Sequence, residues 1–237
     1  MPTYNEKDNL VAVVTRVRAA VPGATILIMD DNSPDGTGRI ADDLASADPL
    51  LIVQHRAGKA GLGAAYLDGF AWGLERGFDI FVEIDSDGSH PPEALPSLLA
   101  LLSPAGSADL VIGSRWMDGG EVVDWPKRRQ LLSRAGNVYT RLALGIHTRD
   151  ATAGFRAYTR SLLEKFDFTS VESKGYCFQV DMTYRASRLG ATIVETPITF
   201  KEREHGVSKM GGAIVAEAMW RVTVWGAQRL FRGSRQE

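Results

Sequence analysis

Short apolar, β-branched runs alternate with amphipathic ones through the first half of this 237-residue chain, and that order leaves few folds open. Residues 24–29, 50–54, 80–85 and 109–113 read as strands, while 8–20, 36–47, 60–76 and 92–102 carry helical spacing. Such repetition builds a mostly parallel sheet covered by helices on both faces, an α/β domain. After Arg115 the alternation stops. Residues 127–144 read as a basic amphipathic helix, 176–189 as another helix, 192–195 as a strand and 212–231 as a terminal helix. No apolar run precedes Met1-Pro2-Thr3-Tyr4-Asn5-Glu6, so either Met1 is the stub of a first strand or that strand is missing. Some loss of stability or order is expected at this edge.

Composition narrows the class. Hydrophobic residues at 44% and charged residues at 24% fit a soluble globular domain, and a net charge of -2 argues against a general nucleic-acid binder. Cys177, the single cysteine, has no internal disulfide partner and reads as a buried thiol in a reducing compartment. No signal peptide and no apolar stretch of about 18 residues is present. The nearest candidate, residues 213–231, is interrupted by Glu217, Arg221 and Arg229 and reads as amphipathic.

Ligands of open α/β sheets bind at strand ends, and two of these ends carry acids. Asp85-Ser86-Asp87 follows residues 78–84 and is closed by Gly88-Ser89-His90-Pro91-Pro92; it is the only Asp-x-Asp in the chain. Carboxylates so spaced can hold Mg²⁺ or Mn²⁺ while a diphosphate supplies further oxygens, or can cap a helix starting near Pro91. The strand before Asp30-Asp31-Asn32-Ser33-Pro34-Asp35-Gly36-Thr37 delivers acids that can accept hydrogen bonds from a ribose or base edge, or form an Asx turn. Residues 2–6 would lie beside them. Residues 55–63, His-Arg-Ala-Gly-Lys-Ala-Gly-Leu-Gly, lack both the Gly-x-Gly-x-x-Gly order and a P-loop. Their glycines read instead as allowing close approach to a nucleotide, which disfavours a nicotinamide oxidoreductase.

Acid clusters and glycine loop converge if the ligand is a nucleoside diphosphate with a metal. The ordered set continues through Gly113-Ser114-Arg115, Trp125-Pro126-x-x-Arg129, Ser133-Arg134, Asp150-x-Thr152-x-Gly154-Phe155-Arg156 and Lys201-Glu202-Arg203-Glu204-His205-Gly206-x-Ser208-Lys209. In these motifs, which span nearly the whole chain, it resembles family-2 glycosyltransferases of GT-A fold, and among them the polyprenol-phosphate (dolichol-phosphate) mannose synthases.

The resemblance implies a Rossmann-like, mixed, mostly parallel sheet in a single domain over residues 1–237. A nucleotide-sugar half at 1–114 and an acceptor half at 115–211 would precede a C-terminal amphipathic helix at 212–237. It implies transfer of mannose from GDP-mannose to a polyprenyl monophosphate with inversion, Pro2, Tyr4, Glu6, Asp31, Asp35 and Asp85 serving the nucleotide. Asp85, Asp87 and Ser89 would hold Mg²⁺ or Mn²⁺, many relatives having glutamine where Ser89 stands. Arg115, Arg129, Ser133, Arg203 and Lys209 match phosphate-contacting positions, with Asp87, Arg115 and Arg129 central to catalysis. Gln179 and Asp181 match a helix beside the active site, where packing is favoured over sugar contact. His90 and His205 are not needed as bases, because the acceptor is already an anion. Alternatives are a UDP-glucose donor or a catalytically silent nucleotide- or lipid-phosphate-binding protein.

Residues 127–149 hold Lys127, Arg128, Arg129, Arg134, Arg141 and Arg149 without a carboxylate. Leu131, Leu132, Ala135, Val138, Tyr139 and Leu142 follow helical spacing on the same segment, which is either packed on the core or laid on an anionic membrane. With a lipid acceptor the expectation is peripheral attachment to the cytoplasmic face of a membrane, possible with a separate or fused membrane-anchoring protein.

Overall fold

The computed structural model describes residues 1–102, 106–171, 175–203 and 212–233. Its first half follows the expected alternation: β1 (Pro2–Thr3), α1 (Leu10–Ala20), β2 (Ile26–Asp30), α2 (Thr37–Ala47), β3 (Leu51–His55), α3 (Leu62–Glu75) and β4 (Ile80–Glu83). The helix expected over 92–102 is split into a 3-10 turn at Pro92–Ala94 and α4 (Leu95–Ala100), because Pro96 begins a new first turn where its missing N–H costs nothing. β5 (Leu110–Ser114) delivers Arg115 just past its end. The second half runs through β6 (Glu121–Val123), α5 (Lys127–Leu144), β7 (Arg156–Thr159), α6 (Arg160–Leu163), α7 (Tyr176–Arg188), β8 (Ile193–Pro197), β9 (Thr199–Lys201) and α8 (Gly212–Gly233).

β1, β2 and β3 form one parallel sheet. A second has the order β4-β7-β5-β8, with β7 antiparallel to both neighbours and β5 parallel to β8, while β6 and β9 form a parallel ribbon. The sheet is therefore mixed and mostly parallel, as expected. Three strands were not legible in the sequence, namely β6, β7 and β9. β7 hides because Arg156 opens it, yet every residue of that strand is buried. The Arg156 guanidinium is satisfied internally, donating to the carbonyls of Ala151, Ala153 and Gln179 and to the Thr183 hydroxyl. That makes a buried charge tolerable in a central strand.

Met1 continues the pairing of β1 with β2: its carbonyl accepts from the Met29 N–H, and its amine donates to the Leu27 carbonyl at 2.9 Å. Between β2 and β4 lies an apolar cleft of about 400 Å³, lined among others by Met1, Leu27, Met29, Phe70, Ile80 and Val82. Burial pushes the Met1 ammonium down to about 5.

The main core packs α1, α2 and α4 on the sheet through Leu10, Val14, Ile28, Leu98, Val111 and Phe155. A second cluster sets α3 and α7 on the other face through Phe70, Phe81, Tyr158 and Phe178. Cys177 is buried as expected, and burial pushes its thiol up to about 12.

α5 has the predicted bounds, and of the two orientations left open its apolar stripe takes the one turned away from the core. Its buried residues are Asn137, Thr140 and Leu144, whereas Leu131, Leu132, Val138 and Leu142 are exposed. α8 crosses the other side of α5, where Gly226 permits close approach: a Cβ there would lie 3.0 Å from the Ala143 carbonyl oxygen. Tyr139 and Thr223 share a hydroxyl hydrogen bond at 2.7 Å, and Val222 is buried with Leu144, Ile146 and Val180.

Candidate active site

The ends of β1, β2, β4 and β5 and the start of α5 open onto one cavity of about 350 Å³. Pro2, Tyr4, Glu6, Asp31, Asp85, Asp87, Ser89, Arg115, Arg129 and Arg203 all line it. Ten of the residues proposed from sequence thus converge. Asp35 and Ser133 are not in the lining, and Lys209 and His205 lie outside the described residues.

On one side of the cavity the two turns that follow β1 and β2 are laced together. Asn5 and Asn32 adopt φ of 58° and 55°, the left-handed conformation that asparagine tolerates. The Asn5 N–H donates to Ser33 Oγ, the Glu6 N–H to Thr37 Oγ1 and the Lys7 N–H to Asp35 Oδ2. Asp30 turns inward, accepting from Thr3 Oγ1, Ser33 N and Ser33 Oγ. Gly38 allows this, since a Cβ there would meet Asp30 Oδ2 at 2.9 Å. Asp31 is left for the cavity. The nucleotide role expected of Asp35 meets a different arrangement: its Oδ1 accepts from the Thr37 N–H and Oγ1, which fixes the entry to α2.

The glycine loop contributes two cations that the sequence reading passed over. Arg56 pairs with Asp31 and, through Nε, with Asp68 at 2.9 Å. Lys59 Nζ sits 4.4 Å from the centre of the Tyr4 ring, a cation–π contact at the cavity wall.

Asp85 and Asp87 are treated differently by their surroundings. Asp85 faces the cavity, with Oδ1 accepting from Tyr66 Oη at 3.3 Å. Burial holds its carboxyl above the usual range, and the nearby Asp87 charge adds to the shift. Burial also acts to raise Asp87, but Arg203 and Ser89 outweigh it and keep that carboxyl below the usual range. Asp87 Oδ1 accepts from the Ser89 N–H and Oγ, while Oδ2 pairs with Arg203 Nη2 at 2.9 Å. Ser89, expected as a third metal ligand, is here the residue that orients Asp87. His90 is buried and stacks on Phe155; burial lowers its pKa, so its neutral Nδ1 accepts the Asp85 N–H at 3.2 Å. That geometry assigns His90 to holding the turn, and excludes a charged pair with Asp85 Oδ2 at 3.9 Å.

Among the described residues no three His, Cys, Asp or Glu side chains converge as a complete cation cage. Two neighbouring carboxylates, one of them raised by burial and by the other's charge, are nevertheless a fitting donor set for a hard dication that takes its remaining oxygens from phosphate and water.

The opposite wall is basic and aromatic. Arg115 is buried, and its guanidinium carbon lies 5.4–5.7 Å from the ring centres of Phe200, Trp125 and Trp116. Asp150, with 0% exposure, takes the Arg115 main-chain N–H, Nε at 2.8 Å and Nη2 at 2.7 Å, and Thr152 Oγ1 takes Nη2 again. Burial opposes the Asp150 charge, but Arg115 more than offsets it and holds the carboxyl low. Asn137 on α5 donates to Thr152 Oγ1 at 3.1 Å, which explains why α5 buries an amide and turns its leucines out. Arg129 stacks on Trp125 at 3.9 Å and pairs with Glu202. Gln179 lines the cavity and donates to Glu83 Oε2 at 2.6 Å, whereas Asp181 pairs with Arg185 outside it. Asp150 and Glu202 both stood inside recognised motifs; what the sequence lacked was any sign of which cation each would hold.

The profile of glycosyl transferase family 2 matches residues 1–167. A curated protein of Mycolicibacterium smegmatis named polyprenol monophosphomannose synthase is 56% identical over 227 residues, covering 95% of this chain and 85% of its own length. One of Micrococcus luteus, named undecaprenyl-phosphate mannosyltransferase, is 54% identical over 235 residues, 99% of this chain and 96% of its own. Among solved structures, glucosyl-3-phosphoglycerate synthase from Mycobacterium tuberculosis, in complex with Mn²⁺, UDP-glucose and phosphoglyceric acid, shares the fold with a TM-score of 0.70. It is 23% identical to this chain and covers 95% of it and 78% of its own chain.

Proposed function

The chain belongs to glycosyl transferase family 2, and we propose that it moves mannose from GDP-mannose to a polyprenyl monophosphate with inversion, releasing GDP. The observation that carries this reading is a single cavity with paired carboxylates on one wall and Arg115 and Arg129 on the other. Transfer to a phosphate requires that separation, because donor diphosphate and acceptor phosphate repel each other and need cations between them. Mannose and the polyprenyl acceptor are what both curated relatives are named for.

Pro2, Tyr4, Glu6 and Asp31 hold the nucleoside side. Mg²⁺ or Mn²⁺ at Asp85 and Asp87 would act as a Lewis acid on the diphosphate. Arg129, stacked on Trp125, grips the acceptor phosphate by bidentate hydrogen bonds, and Arg115, fixed by Asp150, adds its positive charge beside it. Its oxygen attacks the anomeric carbon from the face opposite GDP, and the pair is aligned by position rather than by a general base. Ser133 and Lys209 remain proposed phosphate contacts.

The purified protein, incubated with Mg²⁺ or Mn²⁺, a short polyprenyl phosphate and labelled GDP-mannose or UDP-glucose, is expected to give labelled lipid from GDP-mannose alone. Product from UDP-glucose reassigns the donor; product from neither favours a silent binding protein.

No helix among the described residues is long and apolar enough to cross a membrane. Attachment is proposed to be peripheral, on the cytoplasmic face, through the outer face of α5. Leu131 and Leu142 are 71% and 72% exposed, with Val138 between them on one helical stripe, and Trp220 on α8 is 69% exposed. Lys127, Arg128 and Arg134 flank that stripe, each contributing about 1 kcal/mol near an anionic surface. Replacing Leu131 and Leu142 together by Glu should lower sedimentation with phosphatidylglycerol vesicles at least tenfold while sparing transfer to a water-soluble short-chain acceptor. Unchanged sedimentation would assign the stripe to a separate or fused membrane-anchoring protein.

A further inference from the structure

The cations of the acceptor wall are not waiting bare. Arg115 is held by Asp150, Arg203 by Asp87 and Arg129 by Glu202. These pairs differ in what an incoming anion can do to them. Asp150 is fully buried and binds both the backbone and the side chain of Arg115, so it cannot leave. Glu202 is partly exposed, faces the same cavity, and meets Arg129 through side-chain atoms only. Its backbone is pinned: the Glu202 N–H donates to the Val123 carbonyl at 3.2 Å, and the neighbouring Lys201 N–H donates to the Ser89 carbonyl at 3.1 Å. The carboxylate can therefore swing away from Arg129 while the strand end stays in place. Arg129 has a second support besides Glu202, the Trp125 ring on which it stacks.

We propose that Glu202 is a specificity-determining residue, an internal anion seated on Arg129 that yields only to a phosphate monoester dianion. The proposal rests on the reading of Arg129 as an acceptor-phosphate contact. A monoester brings close to two negative charges and several strong acceptor oxygens, enough to displace one carboxylate from a guanidinium. A phosphodiester carries a single charge and has no such advantage. At a bilayer this matters, because diester headgroups are the commonest phosphates near the cavity mouth and the acceptor is a monoester. The Glu202–Arg129 pair keeps the empty site neutral and closed to those diesters.

Calorimetric binding of three probes tests this with wild-type protein and Glu202→Gln: geranyl phosphate, inorganic phosphate, and soluble dihexanoyl phosphatidylglycerol. Wild type should bind geranyl phosphate, with inorganic phosphate weaker because it lacks the isoprenoid, and should not bind the diester measurably. Glu202→Gln should bind both monoesters about tenfold more tightly and acquire measurable affinity for the diester. The gain should vanish when Arg129→Met is added, and Glu202→Ala, which carries no amide to disturb the site, should show the same gain. Equal or weaker binding in both Glu202 variants overturns the proposal, as does a gain that survives without Arg129. If folded wild type and folded Glu202→Gln both fail to bind geranyl phosphate, the acceptor reading itself is what fails.

Discussion

Asp87→Ala should abolish transfer while leaving the fold intact, a loss of about 10³-fold or more in kcat. The size follows from the charge it is asked to stabilise: a dication on the leaving diphosphate contributes several kcal/mol, and each ~1.4 kcal/mol is tenfold in rate. The structure adds a second reason. Asp87 also neutralises Arg203 and fixes the 85–89 turn through Ser89, so its removal frees a cation beside the diphosphate site. Asp87→Asn separates the two effects, since an amide can keep the Ser89 contacts but not the charge. Labelled-lipid formation and a thermal melt check the outcome; normal turnover in either variant removes the metal from the mechanism.

Asp150→Asn should be nearly as damaging to transfer and, unlike the first variant, costly to stability. Asp150 pairs with Arg115 through both carboxylate oxygens, and the pair is buried. Breaking a buried pair from one side leaves an uncompensated charge, which costs about 3–5 kcal/mol. Arg115 is then held less firmly among Trp116, Trp125 and Phe200, and acceptor binding should weaken with it. The expected readouts are a lowered melting temperature and roughly a hundredfold loss in kcat/KM for the acceptor. The pH dependence has a definite sign. The Asp150 pKa is depressed in the folded protein, so the stability it contributes is present above the ordinary carboxylate value and is lost as pH falls through the folded one. Asp150→Asn should remove that part of the acid limb; an acid limb and acceptor KM like those of wild type would show that Asp150 does not hold Arg115.

How far the sequence carries depends on the range of the interaction. The strand ends at Asp31 and Asp85 and the bounds of α5 at Lys127 and Leu144 are local matters: apolar period, a turn after the strand, and Pro126 before the helix are all written within a few residues. Arg156 shows the limit. A guanidinium at the head of a four-residue run argues against a central strand, and only its four internal acceptors, two on the turn just before it and two on α7, make it one. Asp35 shows another, because an acid in a nucleotide-type motif and an acid that closes a helix turn look the same until Thr37 is seen donating to it.

The sequence by itself determined the α/β class, the acids at strand ends, the arginines that follow and the resemblance they carry, since residue type, order and periodicity are properties of the chain alone. Only the tertiary structure decided which charge each arginine answers, that Ser89 serves Asp87, and that α5 turns its leucines outward to bury Asn137. The arginine pairings rest on contacts across 35 residues for Arg115 and Asp150 and 73 for Arg129 and Glu202. Electrostatic pairing depends on distance in space and on burial, and neither is a property of neighbours in a sequence.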